Sequence, residues 1–232
     1  MEGVSKESIN IEGFDIKLVI FDMDGLMFDT ERLAKKFWME ASEKFNHKID
    51  DEIFKKTIGL NIKETKEIYK EYYGDEFPYE EIRAEKNKLE RNYISSNGVP
   101  FKEGLIELLE YLKKTKLKVA LATSTGKERA ELLLGASGVK KYFDAITCGD
   151  DIQNGKPHPD IFLETCKKMG CRPENCIVLE DSENGIIGAY RAGMLPIMIP
   201  DMIEPTEDIE AILFKKFNNL IEVKNYFEKS SH

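Results

Sequence analysis

Positive charge is the first thing this chain is short of. Its 34 lysines and arginines are outnumbered by 43 aspartates and glutamates, giving a formal net charge of -9. A surplus of that sign repels nucleic acid and anionic membranes, so neither is an expected partner. Any phosphate-bearing ligand must then be held by a local positive site, a metal or a few lysines. Long apolar runs are missing as well: no stretch approaches the roughly 20 residues of a membrane span. Residues 1–15 are polar and acidic and contain no apolar h-region, so the expected location is the cytoplasm. Cysteine is scarce, with four residues at positions 148, 166, 171 and 176 and no Cys-x2-Cys pair. The even spacing of Cys166, Cys171 and Cys176 invites a zinc reading. Cys166, however, sits in a helical pattern and Cys176 opens a strand, so buried reduced thiols are expected. Internal repeats and low-complexity tracts are absent.

What is present is a chain of 232 residues, 41% hydrophobic and 33% charged, enough for one large or two small domains with a substantial core. It is organised around Leu18-Val-Ile-Phe-Asp-Met-Asp-Gly-Leu-Met-Phe-Asp-Thr30. Leu18 to Phe21 form a continuous apolar run, as a strand buried on both faces of a parallel sheet requires. The run stops at Asp22, Met23, Asp24 and Gly25. Carboxylates there stand just beyond the carboxyl end of a central strand, where open α/β sheets bind ligands. An acidic Asx-type turn is the plainer account of this stretch taken alone.

Residues 31–45 read as an amphipathic helix, with Leu33, Ala34, Phe37, Trp38, Ala41 and Phe45 on one face and Asp29 or Thr30 as N-cap. Helical patterns continue through 51–57, 63–73 and 79–94, broken at Gly59, Gly74 and Pro78. Past the linker Asn97-Gly98-Val99-Pro100 the pattern changes. Helices at 103–114, 127–136, 160–169 and 182–192 alternate with strands at 118–123, 143–147, 176–180 and 195–199, and 207–213 and 218–227 close the chain as helices. Such alternation specifies a doubly wound, Rossmann-like parallel sheet with right-handed crossovers and helices on both faces. The expected organisation is an α/β core of residues 1–30 and 97–232, with an inserted all-helical cap of residues 31–96 beside the carboxyl ends of the strands.

Four strand ends collect polar residues. The first carries Asp22 and Asp24. The second ends in Thr123-Ser124-Thr125 before a helix, where Thr125 and Glu128 have capping-box spacing; hydroxyls and free amides at a helix start suit phosphate, although plain capping would serve as well. In the third, Gly155-Lys156-Pro157-His158-Pro159, Pro157 pushes Lys156 toward extended backbone and holds it on a stiff loop. The fourth, Ile177-Val-Leu-Glu180-Asp181-Ser182, places adjacent carboxylates at the end of an apolar strand, which is costly without a cation to share them. Asp22, Asp24, Glu180 and Asp181 can supply oxygens to Mg²⁺, and Thr123, Ser124 and Lys156 donors to a phosphate. A carboxylate nucleophile, a second carboxylate two residues on, a hydroxyl, a lysine and a metal make a phosphoryl-transfer site.

In these four motifs, Asp22-Met-Asp24-Gly, Thr123, Lys156-Pro and Glu180-Asp181, the sequence resembles the haloacid dehalogenase superfamily. The similarity lies with the branch whose helical cap falls between the first two motifs, nearest its β-phosphoglucomutase-like and sugar-phosphate phosphatase members. The resemblance implies that Asp22 attacks phosphorus to give an aspartyl phosphate, and that Asp24 protonates the leaving oxygen and then activates water. It also implies Mg²⁺ bound by the Asp22 carboxylate, the Asp24 carbonyl and Asp181, with Glu180 assisting. Dehalogenation is disfavoured, since an alkyl halide needs no proton on its leaving group.

Two departures bear on substrate. Ala34 stands where the mutases of this branch carry a cap histidine, and Leu60-Asn61-Ile62 where they place an arginine for a second phosphate. Lys86 resembles a cap lysine that reaches into the site, or is one charge on a solvated helix face. Asn61 and Lys86 are the cap residues expected to meet substrate. The expected activity is Mg²⁺-dependent hydrolysis of a small phosphorylated metabolite, with a phosphosugar mutase as the alternative. A non-enzymatic receiver-type phospho-acceptor module is the remaining reading, and both Asp24 and the inserted block count against it.

Overall fold

A computed structural model of the chain describes residues 8–58, 60, 62–115 and 117–230. It begins with an antiparallel hairpin of β1 (Ile9–Ile11) and β2 (Phe14–Ile16). Glu12 and Gly13 both have positive φ at its turn, as a tight two-residue hairpin loop demands. Next comes β3 (Leu18–Phe21), every residue of which is fully buried. The helices α1 (Thr30–Lys44), α2 (Asp51–Lys55), α3 (Ile62–Tyr73) and α4 (Tyr79–Asn97) follow without an intervening strand. The remainder alternates: α5 (Leu105–Thr115), β4 (Lys118–Thr123), α6 (Lys127–Ser137), β5 (Ala145–Cys148), α7 (Asp160–Met169), β6 (Cys176–Glu180), α8 (Glu183–Arg191), β7 (Leu195–Met198), α9 (Glu207–Glu210), β8 (Lys215–Lys216) and α10 (Leu220–Ser230).

Among the described residues the main sheet is six-stranded, in the order β5-β4-β3-β6-β7-β8 and parallel throughout. Side-chain alternation along β3 divides two cores. Val19 and Phe21 face α5, α6 and α10 through Leu108, Leu133 and Phe227, whereas Leu18 and Ile20 face α7 through Ile161 and Phe162. The chain builds outward from β3 through β4 to β5, then returns to the other side of β3 for β6, β7 and β8. That reversal is the switch point at which such sheets open a crevice.

Helices α1–α4 bury a core of their own, with Trp38, Phe54, Tyr69, Phe77, Tyr79 and Ile82. The Tyr69 ring lies 5.1 Å from that of Trp38 and 5.6 Å from that of Phe77. The two segments joining this unit to the sheet run side by side. Phe28 bridges Phe101, and the Asp29 amide donates to the Pro100 carbonyl at 2.9 Å.

Several local expectations are corrected. The polar N-terminal stretch contains the hairpin, because Ile9, Ile11 and Ile16 alternate inward and are buried. The expected 207–213 helix is the single turn α9, after which the chain extends to pair β8 with β7. Asp29 stands at the N-cap of α1 but its side chain caps nothing, being held by Arg32 instead. Cys148, Cys166 and Cys176 are buried free thiols; Cys171 is partly exposed.

Candidate active site

Register brings the site together. Phe21 pairs with Leu121 on one side and Leu179 on the other, so Asp22, Ala122 and Glu180 come level at the carboxyl ends of three adjacent strands. Lys156, from the loop before α7, reaches all three. Its Nζ lies 2.5 Å from Asp22 Oδ1, 2.5 Å from Glu180 Oε1 and 3.2 Å from the Ala122 carbonyl oxygen. The ammonium is buried; burial alone would favour its neutral form, but the two carboxylates raise its pKa and fix the charge.

Glu180 is saturated. Beyond Lys156, its Oε2 accepts from the amides of Asp181 and Ser182, both at 3.1 Å, and from the Ser182 hydroxyl at 2.9 Å. Ser182 also caps α8 by accepting from the Gly185 amide. A side chain at Gly185 would run into the Glu180 carboxylate, its Cβ falling 1.9 Å from Cδ. Asp181 is different: among the described residues nothing donates to its carboxylate.

Ligand atoms of Asp22, Glu180 and Asp181 lie within 4.8 Å of one another. Burial, then Glu180 and Asp22, push the Asp181 carboxyl well above the usual carboxylate range. Burial and Glu180 do the same to Asp22 against the pull of Lys156. One ammonium among three buried carboxylates leaves a charge deficit, and an all-oxygen donor set of this kind fits a hard divalent cation. Gly25 keeps that space open, since a Cβ there would sit 2.0 Å from Asp181 Oδ2 and its φ is +79°.

Asp24 occupies the same loop two residues beyond Asp22, with both oxygens engaged. Oδ1 accepts from Thr30 Oγ1 at 2.6 Å and Arg129 Nη1 at 2.8 Å, while Oδ2, among the described residues, accepts from Thr125 Oγ1 alone, at 2.7 Å. The open lone pair is therefore on Oδ2. Burial would raise this carboxyl, but the Arg129 charge and the hydrogen bonds from Thr30, Thr125 and Arg129 hold it below its ordinary value.

The expected capping box is corrected here. Thr125 is spent on Asp24, Gly126 is the N-cap of α6, and the Lys127 amide is capped at 2.6 Å by Asp150 from the loop after β5. The Lys127 amide at the α6 terminus is thus already capped, and Thr123 and Ser124 line the same cavity as Lys156. Thr123 is buried and accepts from the Thr125 amide at 3.1 Å.

A cavity of about 750 Å³ joins these strand ends to the helical unit, lined among others by Asp22, Asp24, Thr123, Ser124, Lys156, Asp181 and Lys86. Lys86 is not on a solvated face. It is buried and bonded at 2.7 Å to Glu90, and burial lowers its pKa against the pull of Glu90. Asn61, the other cap residue expected at the substrate, lies outside the described residues, as does Gly59. Sequence reasoning missed Thr30, Glu31, Glu90 and Arg129, all of which line the cavity. Burial and the nearby Asp24 carboxylate raise Glu31 to about 7. A signal for Glu90 was available: Ile82, Lys86, Glu90 and Ile94 fall on one i,i+4 stripe of α4, apolar at both ends.

Comparison with known proteins places this geometry in a family. A family model described as "Haloacid dehalogenase-like hydrolase" matches residues 19–199. A phosphorylated carbohydrates phosphatase of Thermotoga maritima is 31% identical over 179 residues, covering 77% of this chain and 82% of that protein. The fructose-1-phosphate phosphatase YqaB of Escherichia coli is 32% identical over 181 residues, covering 76% and 92%. The crystal structure of a β-phosphoglucomutase from Clostridium difficile shares the fold, with a TM-score of 0.75 at 23% identity over 92% of this chain and 98% of that one.

Proposed function

The chain belongs to the haloacid dehalogenase-like hydrolases, and from that premise we propose that it is a Mg²⁺-dependent phosphatase of small phosphorylated carbohydrates, working through an aspartyl phosphate. The observation that carries the reading is the pairing of Asp22 with Asp24. One carboxylate is held by Lys156 at the strand end, and the other is aimed by three donors with a lone pair left open, both at one end of the shared cavity. An Asp22 oxygen attacks phosphorus as the bond to the leaving oxygen breaks; Asp24, held ionised in the free site, takes up a proton as the phosphate charge arrives and gives it to that oxygen. Asp24 then takes a proton from the water that cleaves the aspartyl phosphate, releasing inorganic phosphate and restoring Asp22. Lys156 and the Thr123 hydroxyl hold the phosphoryl oxygens. Asp22, Asp181 and the Asp24 carbonyl are the residues to hold Mg²⁺, which offsets phosphate charge when bound. Glu180 contributes by fixing Lys156.

Hydrolysis is favoured over isomerisation by the cap residues that replace those of a mutase, although Arg83 and Arg91 also line the cavity. Lys86 and Arg129 already face protein carboxylates, and Ala34 lines the wall where a mutase carries a histidine. The free thiols of Cys148, Cys166, Cys171 and Cys176 suit a reducing compartment, and on that ground we place the enzyme in the cytoplasm. The test is phosphate release from a panel of phosphorylated sugars and polyols in Mg²⁺, with Asp22→Asn as control. Turnover by wild type alone is the expected result; no release from any phosphate ester would overturn the reading.

A further inference from the structure

One guanidinium ties the helical unit to the aspartate that serves the leaving group. Arg129 belongs to α6, in the α/β part of the chain. Its Nη1 donates to Asp24 Oδ1 at 2.8 Å and to Thr125 Oγ1 at 3.0 Å. From the other edge, Nη2 donates to Glu90 Oε1 at 2.6 Å and Nε to Glu90 Oε2 at 3.3 Å. Glu90 belongs to α4 of the helical unit, and its Oε2 also accepts from Lys86 at 2.7 Å. Four groups of alternating sign, Asp24, Arg129, Glu90 and Lys86, therefore run through the cavity lining from one unit to the other.

Their placement relative to the connecting segments matters. Among the described residues a second ion pair between the units, Arg32 with Asp201, starts three residues past Asp29, beside the Phe28–Phe101 crossing, where rotation about that crossing moves it least. Glu90 lies about 12 Å of helix before Gly98, at which α4 ends. Rotation of the helical unit about the crossing separates Glu90 from Arg129. It leaves Arg129 with Asp24, and Lys86 with Glu90, so each unit keeps a neutral pair when the two part.

We propose that Arg129 is a positioning residue that couples closure of the helical unit to the aim of Asp24, with Glu90 as its cap-side anchor. A forked guanidinium with a carboxylate on one edge has a single useful orientation. With Glu90 in place, Nη1 is pinned on Asp24 Oδ1 and Oδ2 is left for the leaving oxygen. Without Glu90, Arg129 still faces Asp24 but is held on one edge alone, so its grip on Oδ1 no longer fixes the direction in which Asp24 points. The proposal rests on the phosphatase reading above for its kinetic consequence, but its structural half stands apart from it.

The test compares wild type, Arg129→Gln, Glu90→Gln and the double variant on a sugar phosphate and on p-nitrophenyl phosphate, whose leaving group needs little protonation. Each single variant should lose at least about tenfold in kcat on the sugar phosphate and less than about threefold on p-nitrophenyl phosphate, and the double should be no worse than the worse single. Arg129→Lys keeps the charge but cannot span both carboxylates, so it should resemble Arg129→Gln. Equal losses on both substrates, no loss on either, or multiplicative losses in the double would overturn the proposal. Should Glu90→Gln not fold, Arg129→Gln retains the Glu90–Lys86 pair and reads the same coupling. Amide hydrogen exchange keeps the test independent of turnover. Glu90→Gln should speed exchange at 23–28, in the other unit, and unchanged exchange there would overturn the coupling even in a protein that hydrolyses nothing.

Discussion

Lys156 Nζ stands 2.5 Å from Asp22 Oδ1 and 2.5 Å from Glu180 Oε1, one ammonium shared between the ends of neighbouring strands. Removing it leaves two buried carboxylates without a counter-charge. Lys156→Met should therefore abolish phosphatase activity and also destabilise the fold by about 3–5 kcal/mol, the usual cost of breaking a buried pair from one side. Urea denaturation at neutral pH measures it. A midpoint equal to that of wild type would show that Lys156 is needed by the substrate alone.

Asp181 gives the opposite sign. Its carboxylate has no donor among the described residues and is crowded by Glu180 and Asp22, so its folded pKa is raised. A carboxyl raised on folding binds its proton more tightly in the native state, so stability falls as pH climbs from the unfolded value through the raised one. At neutral pH without metal, Asp181→Asn should raise the melting temperature. Mg²⁺ should raise that of wild type, by stabilising the native state it binds, and leave Asp181→Asn unmoved. Thermal melts with Mg²⁺ and with EDTA distinguish the four cases. A Mg²⁺ shift that survives Asp181→Asn would remove this residue from the metal site.

Glu90 supplies the pH dependence of the clasp between the units. Burial would raise its carboxyl, but Arg129 and Lys86 more than cancel that and hold it at about 2, against an unfolded value of 4.5. A depressed carboxyl stabilises the fold above the unfolded value, and that stabilisation is lost as pH falls from about 4.5 through about 2. The full difference is worth about 3 kcal/mol. Denaturation midpoints of wild type and Glu90→Gln should differ most at neutral pH and converge as pH approaches 2. A gap that holds steady down to that pH would mean that Glu90 acts by packing.

How much of this could be read in advance follows from where each contact is made. Asp22, Asp24, Thr123, Lys156, Glu180 and Asp181 stand at the ends of strands or on the loops beyond them, and parallel register alone makes those ends converge. Arg129 and Glu90 are 39 residues apart and meet only through the seating of α4 over α6; no local period marks such a pair in a chain with 34 basic and 43 acidic residues. For Lys86 the sequence left two readings open, cavity or solvated face, because α4 buries two charges on its apolar stripe, which blurs its amphipathic pattern. The N-terminal hairpin was legible in Ile9-Asn-Ile-Glu-Gly-Phe-Asp-Ile16, an alternation around Glu-Gly, but the acidic composition of the first residues obscured it.

Asp24 should reveal its two roles through the leaving group. Asp24→Asn keeps the shape and the acceptor oxygen for Thr30 and Arg129 but can neither give nor take a proton. The loss should be about 10²-fold or more for an alkyl phosphate and smaller for p-nitrophenyl phosphate, on the usual scale of acid–base catalysis. Equal losses for the two would contradict proton donation and leave Asp24 with an orienting role.

The last prediction separates hydrolysis from phosphoryl isomerisation. A mutase must retain a bisphosphate, turn it over, and shield the aspartyl phosphate from water meanwhile. That work needs cationic groups free to clamp whichever phosphate is distal, and arginine's forked donors suit it best. In this cavity Lys86 is bonded to Glu90, and Arg129 to Glu90 and Asp24, while Ala34 and Ile62 line the wall where mutases of this branch carry their histidine and arginine. A distal phosphate would have to displace protein carboxylates from Lys86 or Arg129, or else be drawn to Arg83 and Arg91, which line the same cavity, before it could be held. Water has no such barrier. β-Glucose 1-phosphate, if accepted, should therefore yield glucose and inorganic phosphate, even when a trace of β-glucose 1,6-bisphosphate is supplied to prime a mutase. Phosphorus NMR follows both products in one tube. Glucose 6-phosphate accumulating well ahead of free phosphate would show that the cavity cations do hold a second phosphate, and would transfer the assignment to a mutase.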